Sequence, residues 1–341
     1  NSPVMRHFSR ILRRVTAPQG SFVTRATHQL LPKPSISPLI GVAKKLFIYS
    51  YEIVDSICIP LLKETTVRYN LADLHMHSFC SDGLRTPTQA VEEACTAGLQ
   101  AISLTDHDTV EGIPEATKAG ERLGMEVVPG TELSAHVRER EVHILAYCID
   151  CSDDQFGTNL EKAFVSRHER GVAIVEKLNG LGLPVSLDDV LEQANGSPLG
   201  RPHIAAALVQ KGLVVDKNEA FNRYIGDRGP AFKAKPYTSA EDIIGLIHRT
   251  GGVAVLAHPG ASLHEGIIQQ LISFGLDGVE VFHPAHQPPQ IDFYNQLADR
   301  HGLLISGGSD SHGNVDGTRI GDYGVGYEAI QAIRERAANY A

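Results

Sequence analysis

From Tyr69 onward the chain alternates short apolar runs with amphipathic stretches. Asn70–His77, Gln100–Thr105, Met125–Gly130, Glu141–Ile149, Gly252–Ala257, Gly278–Phe282 and Leu303–Gly307 are rich in Val, Ile and Leu and predict seven strands. Between them Thr86–Gly98, which opens on a Thr-Pro step, Glu111–Gly124, Ser239–Arg249 and Pro288–His301 place apolar residues at helical spacing. Repeated strand–helix units predict an α/β fold with a parallel sheet covered by helices. Seven such units are enough to close, or nearly close, a barrel.

The alternation breaks once. Residues 153–235 offer helical patterns at Thr158–Leu181, Ser186–Ala194, Pro202–Lys211 and Asn218–Ile225, with no obvious strand and with Gly-Pro and Lys-Pro steps near the end. They predict a helical insertion between two barrel segments, 67–152 and 236–341. Insertions at the strand-to-helix end of such barrels commonly shape the substrate pocket.

Residues 1–66 read differently. They hold no acid before Glu52 and mix Arg10, Arg13 and Arg14 with Pro18, Pro32, Pro34 and Pro38. An Arg-rich targeting presequence and upstream sequence read from a start set too early both fit. We take the second and expect an N-terminal extension outside the main domain. His7 and His28 receive no role. Phe47–Leu62 is interrupted by Glu52 and Asp55, and no run of about 18 apolar residues occurs, so no membrane-spanning helix is expected.

Charge sharpens this division. Residues 1–66 carry nine Lys/Arg against three Asp/Glu, whereas residues 67–341 carry 22 against 37. An acidic body disfavours binding to long duplex nucleic acid. Five cysteines form no regular framework, Cys148-Ile-Asp-Cys151 is a lone CxxC read as incidental, and a reducing, cytoplasmic setting is expected. Sixteen His in a chain without Trp make a metal site the first chemistry to test.

The candidate chemistry sits where the predicted strands stop. In Asp73-Leu74-His75-Met76-His77 a period of two puts Asp73, His75 and His77 on one face. Ser81-Asp82-Gly83 follows. Thr105-Asp106-His107-Asp108 comes after the second strand and Gly130-Thr131-Glu132 after the third. His143 lies within the fourth, His258 ends the fifth, and Ser309-Asp310-Ser311-His312 follows the seventh. Any one of these is an ordinary turn or a satisfied polar residue, but six clusters at one rim point to a multi-metal site. His136, His168, His248, His264 and His301 lack such placement and are assigned surface or packing roles.

Asp73–Ser78 (DLHMHS), SDG at 81–83, TDHD at 105–108, GTE at 130–132, His143, AHPG at 257–260 and SDSH at 309–312 resemble, in order, the motifs of the polymerase and histidinol phosphatase (PHP) domain family. The insertion carrying Gly200-Arg201-Pro202-His203 is similar to the branch of 3′,5′-nucleoside bisphosphate phosphatases, which includes a 5′-to-3′ exoribonuclease, RNase AM. The resemblance implies a distorted (β/α)7 TIM-like barrel and two or three divalent ions. His75, His77, Glu132 and Asp310 would hold the first ion, and Glu132 would bridge to a second completed by His143 and His258. Asp82, His107 and His312 would hold a third. Imidazole plus carboxylate without thiolate suits Mn²⁺, with Zn²⁺ or Fe²⁺ as alternatives. Asp73, Asp106 and Asp108 would orient ligands or shape turns.

That resemblance makes phosphoester hydrolysis by water activated between two ions the expected reaction, with Glu132, Asp310 and His283 at its centre. Arg201 and His203, at the start of a predicted helix, are candidate phosphate contacts. A surface ion pair is the plain alternative for Arg201. His283 after the sixth strand is a phosphate contact or proton donor, and Lys233 and Lys235 are weaker candidates. The leading substrate is adenosine 3′,5′-bisphosphate, giving AMP and phosphate. A short 5′-phosphorylated RNA is the alternative, histidinol phosphate remains open, and a non-catalytic metal-stabilised PHP module is the alternative of another class.

Overall fold

The computed structural model describes residues 71–261, 263–313 and 317–341; the expected N-terminal extension lies outside them. Among the described residues nine strands form two sheets. In the first, β1 (Leu71–Met76), β2 (Ala101–Leu104), β3 (Glu126–Val127) and β9 (Val325–Gly326) take the order β3-β2-β1-β9. In the second, β4 (Gly130–Val137), β5 (Arg140–Tyr147), β6 (Val253–Leu256), β7 (Gly278–Phe282) and β8 (Leu304–Gly307) lie in sequence order. Single bridges link the sheets' margins, His107 to Glu132 and Met76 to Ser311.

All seven expected strands are present, but the sheets are mixed. The third run is cut to β3, and a strand not expected from the sequence, β4, follows at once. Gly130-Thr-Glu reads as a turn, yet from Thr131 on the period is two: Leu133, Ala135 and Val137 enter the apolar core while Glu132, Ser134 and His136 alternate with them. Arg138 takes a left-handed φ of +55° between β4 and β5, and the hairpin pairs Val137 with Arg140 and Ser134 with His143. Glu132 therefore lies inside a strand, as its third residue, and not past a strand end. β5 runs antiparallel to both β4 and β6.

Helices α1 (Pro87–Thr96) and α2 (Ile113–Leu123) cover the first sheet, where Val91, Ala94 and Ala116 pack on Met76 and Ile102. Helices α7 (Ala240–Arg249), α8 (Glu265–Ser273) and α9 (Pro288–His301) cover the second, around Ile144, Leu256 and Val279. Between β5 and α7 come α3 (Asp154–Gly180), α4 (Leu187–Ala194), α5 (Arg201–Gln210), the short α6 (Lys217–Ala220) and a π-helical turn, Phe221–Ile225. These insertion helices bury a core of their own, including Ile174, Leu178, Val190, Ile204, Leu208 and Ile225. α3 starts four residues before the expected Thr158, capped by Asp153, and Ser186 closes a capping box on α4.

The C-terminal helix α10 (Tyr327–Ala337) is fastened through one buried carboxylate. Asp277 accepts hydrogen bonds from the Ala254 N–H (3.0 Å), Arg336 (3.0 Å) and the Tyr340 hydroxyl (2.7 Å), and meets His248 Nε2 at 2.8 Å. Burial works against its charge, but His248, the Ala254 N–H, Tyr340 and Arg336 hold it below the usual carboxylate range. A depressed carboxylate contributes its full stability above its unfolded pKa and loses it as pH falls through the folded value. Asp277→Asn should therefore cost about 1–3 kcal/mol at pH 7, with the gap to wild type narrowing below about pH 4. Urea denaturation at the two pH values checks both the size and the sign.

Candidate metal centre

The structure brings all nine expected ligands to one place. Glu132, fully buried on β4, is the hub. Its Oε1 lies 2.7 Å from His143 Nδ1 and 2.8 Å from His258 Nε2, and its Oε2 lies 3.0 Å from His107 Nδ1 and 3.4 Å from Nε2 of both His75 and His77. Asp310 Oδ1 faces His77 Nε2 at 3.0 Å and His75 Nε2 at 3.4 Å. Asp82 Oδ1 lies 3.3 Å from His312 Nε2 and 3.9 Å from His77 Nδ1. His77 and His107 stand between the expected groups: His77 gathers with Asp82, His107 and His312 as well as with His75 and Glu132, and His107 also gathers with Glu132 and His143.

Several of these atoms have no hydrogen-bond partner although they are buried: His75 Nε2, His77 Nε2, His107 Nδ1, Glu132 Oε2 and Asp82 Oδ1. They approach each other closely but are not aligned as donor and acceptor. Leaving a buried polar atom unsatisfied costs about 1–3 kcal/mol, so five in one cluster fit a shared partner that accepts lone pairs. Imidazoles and carboxylates without a thiolate are a fitting donor set for divalent ions.

Electrostatics follow the same geometry. Burial opposes charge on Glu132, but His107, His143 and His75 hold its carboxyl well below the usual range, and Asp310 and Asp82 are held low by their own imidazoles. Burial alone would lower His143 and His312. Glu132 with Glu141 pushes the first up to about 9, and Asp82 with Asp310 does the same for the second. His107 is brought down to about 4 by burial despite Glu132 and Asp82.

The backbone is bent to aim these groups. His258 and Asp310 have positive φ, +26° and +50°, as has Asp108 at +51° beside His107. Such strain in non-glycine residues gathers where the surroundings over-determine it. In β1 a register shift against β2 falls between Asp73 and Met76, so the simple period of two fails there. His75 and His77 reach Glu132, while Asp73 accepts the N–H groups of Ser309 (3.0 Å) and Gly321 (2.9 Å), pinning the residue before Asp310. Asp106 accepts from the hydroxyls of Ser78 and Ser81, both at 2.6 Å, and shapes the loop leading to Asp82.

The candidate substrate residues divide. A cavity of about 520 Å³ is lined by His143 and His258 together with Arg201, Phe232 and Glu141. Arg201 donates to Asp227 (2.7 Å) and to the Ile225 carbonyl (3.3 Å), with its guanidinium 5.6 Å and 5.7 Å from the rings of Phe221 and Phe232. His203 instead accepts the Gly200 N–H through Nδ1 (3.1 Å) and is packed against the Ser81–Asp82 turn. His283 Nδ1 accepts from the Ala285 N–H (3.1 Å), so its proton sits on Nε2, 3.2 Å from Asp310 Oδ2. Lys235 pairs with Glu141 at 2.6 Å and bonds Ser134.

Four residues escaped the sequence reading. Buried Arg167 on α3 pairs with Asp108 (2.7 and 2.5 Å), and Glu141 stands 3.4 Å from His143. Buried His286 bonds the Val281 carbonyl and the Gly260 N–H. Glu280 contacts His75 and His258. Only Glu280 left a trace, as a lone acid in an otherwise apolar strand.

The family model described as PHP domain matches residues 73–339. A 3′,5′-nucleoside bisphosphate phosphatase from Chromobacterium violaceum is 33% identical over 72% of this chain and 89% of its own length. A 5′-3′ exoribonuclease from Haemophilus influenzae is 34% identical over 70% of this chain and 89% of its own. A crystal structure of a candidate metal-dependent phosphoesterase from Bifidobacterium adolescentis superposes with a TM-score of 0.74 at 34% identity, covering 78% of this chain and 96% of that one.

Proposed function

From the premise that this chain belongs to the PHP domain family, we propose that it removes the 3′-phosphate from nucleoside 3′,5′-bisphosphates, turning adenosine 3′,5′-bisphosphate into AMP and phosphate. Membership makes it a metal-dependent phosphoesterase, hence a hydrolase. It also supports reading the two sheets as the halves of a distorted (β/α)7 barrel capped by the insertion. One observation carries the substrate reading: the cavity wall that includes His143 and His258 also includes Arg201. A second phosphate on the same nucleoside would meet that guanidinium while the first meets the metal centre.

His75, His77, Glu132 and Asp310, then Glu132, His143 and His258, then Asp82, His107 and His312 would hold two or three divalent ions, Mn²⁺ foremost. Such ions supply Lewis-acid charge to phosphate oxygens and make a water acidic enough to ionise near neutral pH. The protein's part is to place the donors and keep their lone pairs inward. His283, with its one proton on Nε2, would steady Asp310 Oδ2 or offer that N–H as a hydrogen bond to a phosphate oxygen; protonating the departing nucleoside oxygen would take its imidazolium form. We place the enzyme in the cytoplasm. Cys80, Cys95, Cys148 and Cys151 are free thiols, and among the described residues no helix is long and apolar enough to cross a membrane.

Phosphate release from adenosine 3′,5′-bisphosphate and from histidinol phosphate, and mononucleotide release from a short 5′-phosphorylated RNA, each with Mn²⁺, test the reading. Hydrolysis of RNA alone would favour the exoribonuclease alternative, which the similarity to the Haemophilus enzyme supports. Arg201→Ala should lower kcat/KM for the bisphosphate by about 1.5–3 kcal/mol, one to two orders of magnitude, and leave an aryl monophosphate nearly unchanged. Equal loss on both would place Arg201 at the reacting phosphate. No loss on either would leave it as the Asp227 ion pair alone.

A further inference from the structure

We propose that Glu280 is a positioning residue of the metal centre, whose two carboxylate oxygens fix the tautomer of His75 and the backbone of His258. The inference rests on reading both histidines as metal ligands.

Glu280 lies at the middle of β7, fully buried, between Val279 and Val281, which both enter the apolar core. Its Oε1 accepts from His75 Nδ1 at 3.0 Å. A carboxylate at that distance offers no proton, so the imidazole carries its hydrogen on Nδ1 and keeps a lone pair on Nε2. That Nε2 is one of the buried atoms without a hydrogen-bond partner, aimed at Glu132 and Asp310. The other oxygen, Oε2, accepts the backbone N–H of His258 at 2.7 Å. His258 has the strained φ of +26°, and its side chain reaches Glu132 Oε1 at 2.8 Å. One side chain thus sets the direction of a donor atom on β1 and holds the contorted residue that follows β6.

Two other roles suit it less well. A ligand role is suggested by the closeness of His75, Glu280 and His283, but both oxygens already accept hydrogen bonds from protein. A role in stability alone is unfavourable chemistry, since a buried carboxylate carries a desolvation cost that an apolar residue in an apolar strand would not. Carboxylate partners of ligating imidazoles typically change metal affinity or activity by about 10–100-fold when removed.

Glu280→Gln is the sharper test because it preserves shape. Its amide nitrogen must face either His75 or His258. Facing His75 it donates to Nδ1 and shifts the imidazole proton to Nε2, removing the lone pair aimed into the centre. Facing His258 it opposes an N–H and pushes the strained backbone away. Apo protein titrated with Co²⁺ and followed by visible absorption should bind about 10–100-fold more weakly in Glu280→Gln and Glu280→Ala, with a changed ligand-field spectrum. KM for the bisphosphate at saturating metal should stay within about threefold while kcat falls. Binding and spectrum matching wild type within about twofold in either folded variant would overturn the proposal alone. Wild-type protein that takes up no Co²⁺ would overturn the metal-centre reading beneath it.

Discussion

Glu132→Ala is expected to lower kcat by at least about a thousandfold, roughly 4 kcal/mol of transition-state stabilisation, and to strip metal from the protein. The size follows from its position as hub. One carboxylate stands within 3.4 Å of five imidazoles, on His75, His77, His107, His143 and His258, so its loss disturbs several donor groups at once. Substituting one peripheral imidazole removes one donor; substituting Glu132 removes the group that joins them. The fold should survive, because Leu133, Ala135 and Val137 keep β4 in the core and the hairpin with β5 is paired throughout. Metal content by elemental analysis, activity and circular dichroism check the three parts. Wild-type turnover in a folded Glu132→Ala protein would sink the hub assignment.

The largest loss of stability should come from Arg167→Ala. Arg167 and Asp108 are both buried, and the carboxylate also accepts the N–H (2.8 Å) and hydroxyl (2.9 Å) of Ser134. Burial works against charge on Asp108, and Arg167 with Lys235 holds it well below its ordinary value. Removing the guanidinium strands a charge inside the protein, a cost of about 3–5 kcal/mol, and for a domain of this size a fall in Tm of about 5–9 °C. Adding Asp108→Asn should recover most of it, since asparagine needs no counter-charge and tolerates the left-handed φ there. A single variant melting within about 2 °C of wild type, or a double variant no better than the single, would show that the pair is not the fastening described.

How legible this site was depended on distance along the chain. Most of the ligands could be found because they stand in short polar runs at an abrupt end of an apolar run, and that contrast is local; His143, inside its strand, and His258, alone before Pro259, lack it. The helices of the insertion were legible from a signal equally local, apolar residues at helical spacing within a dozen or two positions. Local contrast misled at Gly130-Thr131-Glu132, where a glycine inside a strand looked like a turn, and at Asp73–Met76, where a slip in register breaks the alternation. Arg167 was illegible in principle: its partner is 59 residues away and nothing near it in α3 marks it out. Glu280 reaches His75 across 205 positions, so only folding reveals why an acid belongs in that strand.

The insertion's private core has a consequence for descent. Its helices bury Ile174, Leu178, Ile204, Leu208 and Ile225 among themselves. They meet the layer below through Phe156 and Leu160 of α3, which join its apolar core, and through charged fastenings near the site, Arg167 on Asp108 and Lys235 on Glu141. A roof supported in this way can drift in shape while the floor that carries the chemistry stays under its own selection. Gene duplication followed by repacking of the roof would yield enzymes that keep one set of histidines and acids and diverge in what they admit. An alignment of the relatives named for a nucleoside bisphosphate phosphatase and for an exoribonuclease, 33% and 34% identical to this chain, should then show the differences gathered in the roof.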